Sequence, residues 1–275
     1  MHQKVIYYQD ELNDEFAGDA IQARLIDDKY KYYHKSIFKS FTHFFWYRVI
    51  ATPIAYAYMK FKFKHKIVNR KVVKPFKKKA YFIYGNHTHN LADAVIPTMV
   101  ASPTDTHVIV HANNVSMPYL GRITPSLGAV PLPDTKEAMR NFTDCLEYRI
   151  KQKRVIAIYP EAHIWPFYTK IRPFKSMSFS YPIRYGTPVF CFTNTYQKRK
   201  RSKNPRIVTY VDGPFFPNLE LTGKEQREDL RNRVYNTMVK RSENSNIEII
   251  KYVKRETEVW KTFYFVVMNM FLMES

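Results

Sequence analysis

Cysteine is scarce in this chain. The two thiols, Cys145 and Cys191, lie in apolar surroundings without CxxC spacing. That leaves no disulfide framework and no cysteine-based zinc site, and it points to a reducing, cytosolic compartment. Internal repeats and long Gly/Ser/Pro-rich linkers are missing too. A chain of 275 residues is therefore expected to fold around its own core, burying roughly three-quarters of its unfolded surface without staples. Residues 1–35 are polar with mixed charge, so a cleavable secretory signal is not expected. No run of about 20 mainly apolar residues is free of charge, as a membrane-spanning helix would need. Acid is short: 24 Asp and Glu against 44 Lys and Arg leave a net charge of +20.

That excess suits a phosphate-bearing partner, either nucleic acid or an anionic membrane face. It is concentrated in two blocks, ten Lys or Arg between Lys60 and Lys79, and a second block from Lys198 to Arg206. The first block directly follows an aromatic segment, residues 36–59, which holds Phe38, Phe41, Phe44, Phe45, Trp46 and Tyr47 but also Lys39, His43, Arg48 and Pro53. Cations among aromatics fit an interfacial helix, with rings at headgroup depth and cations meeting lipid phosphate. A buried amphipathic helix pair is the alternative. Trp260 and the apolar run Phe263–Met273 repeat the pattern near the C-terminus, at a length too short to cross a bilayer. Residues 1–79 are accordingly expected to form a polar tail plus a membrane-associated helical segment, ahead of a domain at 80–275.

Within 80–275, short runs rich in Val, Ile, Phe and Tyr alternate with helical patterns. Strands are predicted at Tyr81–Gly85, His107–His111, Gly128–Leu132, Val155–Tyr159, Pro188–Thr193 and Ile207–Val211. Helices are predicted at Leu91–Val100, Thr135–Gln152 and Phe174–Tyr185. A capping box, Thr222 with Glu225, is expected to start a long helix running to about Lys240. This alternation predicts an α/β fold with a central, largely parallel sheet flanked by helices. Active sites of such sheets gather just beyond the carboxyl ends of strands.

Two loops fall there. The first reads Gly85-Asn86-His87-Thr88-His89-Asn90-Leu91-Ala92-Asp93. Imidazole titrates near neutrality and can take a proton from an alcohol, and a nearby carboxylate would fix its tautomer. Helix capping by these same residues is the plainer reading of the loop alone. The second reads Tyr159-Pro160-Glu161-Ala162-His163-Ile164-Trp165-Pro166, with Arg172-Pro173-Phe174-Lys175 downstream. A carboxylate near cations could orient a hydroxyl-bearing or phosphorylated acceptor; a structural turn is the alternative.

In this order the two loops, with Gly128-Ala129-Val130 between them and Gly186-Thr187-Pro188-Val189 after, resemble the glycerolipid (lysophosphatidic acid) acyltransferase family. Its blocks are an Asn-His-x4-Asp loop, a Gly-containing strand, a Phe-Pro-Glu-Gly loop with a later Pro-Phe-Lys, and a Pro-Val strand. The likeness spans roughly residues 80–215. It implies an O-acyltransferase with His87 and Asp93 as catalytic residues and no metal or other cofactor. Acyl-CoA or acyl carrier protein would be the donor and a lysophospholipid, 1-acylglycerol-3-phosphate first, the acceptor. Asn86 and Glu161 would help bind the substrate. The resemblance further implies attachment to the cytoplasmic face of an anionic membrane, as a peripheral or monotopic protein of phospholipid synthesis.

The sequence departs from the pattern in three places. Five residues, not four, separate His87 from Asp93, while His89 and Asp93 form an i,i+4 pair, so His89 is an alternative base. Asp134 stands where the family's middle block has Arg, which leaves Arg122, Lys136 or Arg140 to meet phosphate. Ala162-His163-Ile164 replaces Gly-Thr-Arg, with Arg172 and Lys175 as substitute cations. Two other classes compete. His87-Thr88-His89, completed by His111 or His163, could ligate the metal of a hydrolase. The interleaved aromatics and cations of residues 56–66 could bind nucleic acid without catalysis, although no nucleic-acid-binding motif is visible and none is expected as partner.

Overall fold

The computed structural model describes residues 3–16, 22–32 and 37–255. The chain opens with strand β1 (Lys4–Tyr8). A helical stretch follows: α1 (Ile37–His43), a π-helical section Phe44–Ala51, and α2 (Thr52–Phe63), which ends on a left-handed Lys64. The short strand β2 (Lys66–Val68) leads into a 3-10 section Arg70–Phe76. Next come β3 (Tyr81–Gly85), α3 (Asn90–Ala101), β4 (Thr106–Val110), β5 (Ala129–Pro131), α4 (Lys136–Lys151) and β6 (Val155–Ile158). The remaining elements are α5 (Ser180–Arg184), β7 (Val189–Gln197), β8 (Arg206–Phe215), α6 (Gly223–Ser242) and β9 (Ile250–Lys254).

Seven strands form the main sheet in the order β2-β8-β7-β3-β6-β4-β5. β3 pairs in parallel with β6 and β7, and β4 pairs in parallel with β5 and β6. Among the described strands only the β7–β8 pairing is antiparallel; β2 then runs parallel to β8. The central strands read as continuous apolar runs because both faces are covered, as parallel sheets require. One core joins α2 and α3 to one face of the sheet, and a second joins α4, α5 and α6 to the other. At Gly85 an added Cβ would lie 2.1 Å from the Phe192 ring, so only glycine lets β3 end against β7 at this point.

All six predicted strands occur, Tyr81–Gly85 with its predicted ends and the other five with shifted ones. Within residues 1–79, β2 is part of the main sheet, and β1 pairs in parallel with β9 in a separate two-stranded sheet. The predicted helix Phe174–Tyr185 shrinks to one 3-10 turn plus α5, beside Pro173 and with Pro182 inside it. Thr222 does precede α6 with extended backbone, but its side chain makes no capping hydrogen bond. Not every cation of the first basic block faces outward. Arg70, for example, donates to the carbonyls of Val100 and Ser102 and so caps the C-terminal end of α3.

The aromatic segment is helical and splits its rings between two environments. Tyr47, Met59 and Phe63 are buried, whereas Phe38, Phe41, Phe44 and Phe45 are exposed. No helix among the described residues is long and apolar enough to cross a membrane. Trp260 and Phe263–Met273 lie outside the described residues.

Candidate active site

β3 delivers the chain to the carboxyl end of the sheet, and the Asn86–His89 loop turns there into α3. His89 is the N-cap, extended at φ −161° and ψ 115°, and its Nδ1 accepts the Ala92 N–H. Asp93 therefore falls in the first turn of the helix, where N–H groups point outward and favour a carboxylate. It is 1 % exposed and reaches back into the loop. Its Oδ2 accepts the Thr88 N–H at 2.7 Å and the His89 N–H at 2.8 Å. His87 Nδ1 completes this set at 2.9 Å. An ionised carboxylate only accepts, so Nδ1 carries the proton and Nε2 is left with a free lone pair. The His87 side chain keeps 18 % of its surface exposed, so it can be reached from outside.

Other side chains hold this pair in place. Tyr159 stacks on the His87 ring, centroids 4.4 Å apart, while its hydroxyl donates to the Asp93 carbonyl. The second carboxylate oxygen of Asp93 takes a 3.3 Å hydrogen bond from Asn194 Nδ2. Asn194 in turn exchanges two bonds with Asn86: Asn86 Nδ2 donates to the Asn194 carbonyl, and the Asn194 N–H donates to Asn86 Oδ1. Thr209 donates its hydroxyl to Asn194 Oδ1, and His65 Nε2 lies 2.8 Å from that hydroxyl. A buried polar line thus runs from β8 through β7 to the Asp93 carboxylate. Sequence reasoning missed Asn194, although a polar Thr193-Asn194-Thr195 run inside an otherwise apolar strand was the available signal.

Glu161 and Arg172 also meet, 3.6 Å apart with both side chains fully buried. The Glu161 carboxylate accepts the His87 N–H and the Arg172 N–H, each at 3.0 Å. Arg172 donates to the carbonyls of Glu11, Glu161 and His163 and stacks over Trp165. Burial pushes the Glu161 carboxyl up and the Arg172 guanidinium down, and each charge opposes the other's shift. With both oxygens occupied, Glu161 ties the second loop to the backbone of His87; Trp165 N–H to the His87 carbonyl and Phe167 N–H to the Thr88 carbonyl complete that seam. Ala162 sits at φ 64°, a left-handed conformation that explains the glycine of the resembled loop pattern.

The remaining candidate cations are elsewhere. Among the described residues no hydrogen bond or ion pair links Arg122, Lys136, Arg140 or Lys175 to His87 or Asp93. Lys136 and Arg140 are exposed on α4. That helix packs its buried side, Phe142, Cys145 and Leu146, against the sheet and turns these two cations outward. Lys175 is exposed beyond the Arg172 loop. Arg122 lines a cavity of about 1480 Å³ together with His43, Asp105, His107, Arg149 and Arg154. Asp134, the departure in the middle block, accepts the Ile26 N–H and returns its own N–H to the Ile26 carbonyl, so it fastens the 22–27 segment over β5.

The metal-hydrolase alternative finds little support in the donor geometry. His89 and His111 each spend a ring nitrogen on a helix-starting N–H, and His163 lies 3.5 Å from Glu15. Among the described residues no three His, Cys, Asp or Glu side chains are grouped so that they could hold a metal ion.

A family model described as Acyltransferase matches residues 62–193. The fold is similar to the crystal structure of the 1-acyl-sn-glycerophosphate (LPA) acyltransferase PlsC from Thermotoga maritima, with a TM-score of 0.51 and 16 % identity, over 76 % of this chain and 89 % of that one. No curated protein matches the sequence.

Proposed function

Since the chain belongs to the acyltransferase family, we propose that it transfers a fatty acyl group from a thioester carrier to the free hydroxyl of a lysophospholipid, 1-acylglycerol-3-phosphate being the first candidate. The observation that carries this reading is the His87–Asp93 pair at 2.9 Å, with Nδ1 turned to the carboxylate and the ring partly exposed. Nε2 takes the proton of the acceptor hydroxyl as its oxygen attacks the thioester carbonyl. The tetrahedral intermediate collapses, the carbon–sulfur bond breaks, and the thiolate leaves with the proton returned from Nε2. Asp93 stabilises the imidazolium between the two steps. His89 is the weaker candidate for the base, because its Nδ1 is occupied by the helix cap and burial holds its pKa down, which Asp93 only partly offsets.

The acceptor is expected to come from the anionic, cytoplasmic face of a membrane to which the protein attaches peripherally. The exposed rings of Phe38, Phe41, Phe44 and Phe45 support that attachment, since aromatics of an interfacial helix settle at headgroup depth.

Acyl transfer should be measured with lysophosphatidic acid in mixed vesicles, with acyl-CoA and acyl carrier protein compared as donors. His87→Ala should lower kcat by about 100- to 10,000-fold with the far-ultraviolet circular dichroism unchanged. Near-wild-type turnover in that variant would remove His87 as the base.

A further inference from the structure

The second basic block, Lys198–Arg206, has no role in the site just described. In the fold it meets the first block. Lys64 and Lys66 come from the end of α2 and from β2. Lys198, Arg199, Lys200 and Arg201 come from the loop leaving β7, and Arg206 opens β8. Together they line a groove of about 770 Å³ floored by Val68, Val208 and Tyr210. Seven of its twelve lining residues are cations and none is acidic. Among the described residues none of the seven has a carboxylate partner, although ten ion pairs occur elsewhere. Seven like charges brought together without compensation repel one another, so the arrangement favours a bound polyanion.

The loop is also fastened. The Lys198 N–H donates to Asn246 Oδ1, the Asn246 N–H donates to the Tyr196 carbonyl, and Arg199 donates to the Lys62 carbonyl. These bonds pin it between the end of α6 and the end of α2. The volume falls in the range of small-ligand sites, about 300–1,000 Å³. Among the described residues none of the large exposed apolar side chains lines the groove, so the inserting side chains that a membrane contact uses are not found there.

Its position gives the ligand. β7 ends and β8 begins at the end of the sheet where β3 releases His87, and β8 is two strands from β3, about 10 Å across. We propose that this groove binds the nucleotide phosphates of a coenzyme A thioester, whose pantetheine arm then crosses the top of β7 to present the acyl group at His87. The inference rests on the acyltransfer reading above and names the donor for it.

The test uses the full chain and a variant with Lys64→Gln, Lys198→Gln, Lys200→Gln and Arg201→Gln. None of these four side chains makes a hydrogen bond or ion pair among the described residues. Adenosine 3′,5′-bisphosphate, which carries the nucleotide end without the arm, should bind the wild type in a salt-sensitive way and the variant at least roughly tenfold more weakly. The variant should show a KM for acyl-CoA raised by a similar factor, with kcat and the KM for the acceptor kept. With an acyl-pantetheine thioester, which lacks the nucleotide, variant and wild type should react alike. An unchanged KM for acyl-CoA would overturn the proposal. So would an equal loss with acyl-pantetheine, or a loss confined to binding of phosphatidylglycerol–phosphatidylcholine vesicles. If the wild type transfers no acyl group from any donor, the functional reading fails, and bisphosphate binding still decides whether the groove takes a nucleotide.

Discussion

Glu161 can be read in two ways, and one substitution separates them. The resembled family suggests that it meets the acceptor, whereas the structure buries it against Arg172 and two backbone N–H groups. Glu161→Gln keeps the shape and removes the charge. One of the two backbone donors would then face the amide NH2 of glutamine, and the buried Arg172 guanidinium would lose its only ion-pair partner among the described residues. Breaking a buried pair by removing one member typically costs about 3–5 kcal/mol. The surviving carbonyl contacts of Arg172 place the expectation at the lower end, about 3 kcal/mol. With either donor unpaired the seam between the two loops loosens around His87, and a displacement of the proposed base near 1 Å is worth about 100-fold in rate. Urea unfolding should therefore show a lowered midpoint, and vesicle-based acyl transfer should show a fall in kcat with the acceptor KM little changed. If instead stability holds and the acceptor KM rises, Glu161 touches the substrate and the positioning argument is wrong.

Two further perturbations test the packing around the site. Ala162→Gly relieves a left-handed alanine at φ 64°, and it should raise stability by up to about 1 kcal/mol in thermal unfolding; a lowered Tm would show that the Ala162 methyl contributes packing that outweighs the strain. His65 is held neutral by burial, its pKa lowered from 6.5 to about 4. Between those values the unfolded chain gains a proton that the folded chain does not, so stability falls as pH drops through this window, by at most about 3 kcal/mol. Urea midpoints followed from pH 7 to pH 4 should decline less steeply in His65→Gln than in the wild type, and identical slopes would contradict the burial argument.

What the sequence revealed and what it hid follow from how local each signal is. The six main strands were legible because each is a short apolar run closed by Pro, Gly, Asn or Asp. β1 and β9 were not, because their pairing joins Lys4 to Ile250, and neither strand carries its partner's position in its own residues. β2 has three residues inside a lysine-rich stretch, so its charges masked it. The Phe174–Tyr185 helix failed for a local reason, since Pro182 removes a donor and leaves room for little more than one turn. Thr222 occupies the cap position without making the cap bond, which shows that sequence spacing sets where a helix starts more reliably than which donor is satisfied.

The His87–Asp93 spacing shows the same limit within the site. Counted along the chain, five intervening residues look one too many, and the i,i+4 pair His89–Asp93 looks better placed. The i,i+4 rule holds only inside a helix, and His89 is not in one. The helix begins at Asn90, so the extra residue is taken up by extended backbone at His89, whose ring turns inward to cap Ala92. Asp93 then curls back over the loop and gathers the Thr88 and His89 N–H groups together with His87 Nδ1 on one oxygen. Nothing in the pair count reports that fold-back. The buried Asn194 amide secures it from β7, about 100 residues downstream, and the stacked Tyr159 secures it from the second loop. The pairing of His87 with Asp93 is therefore a property of three adjacent central strands, β7, β3 and β6, and it tolerates an insertion in the loop as long as those strands stay in register.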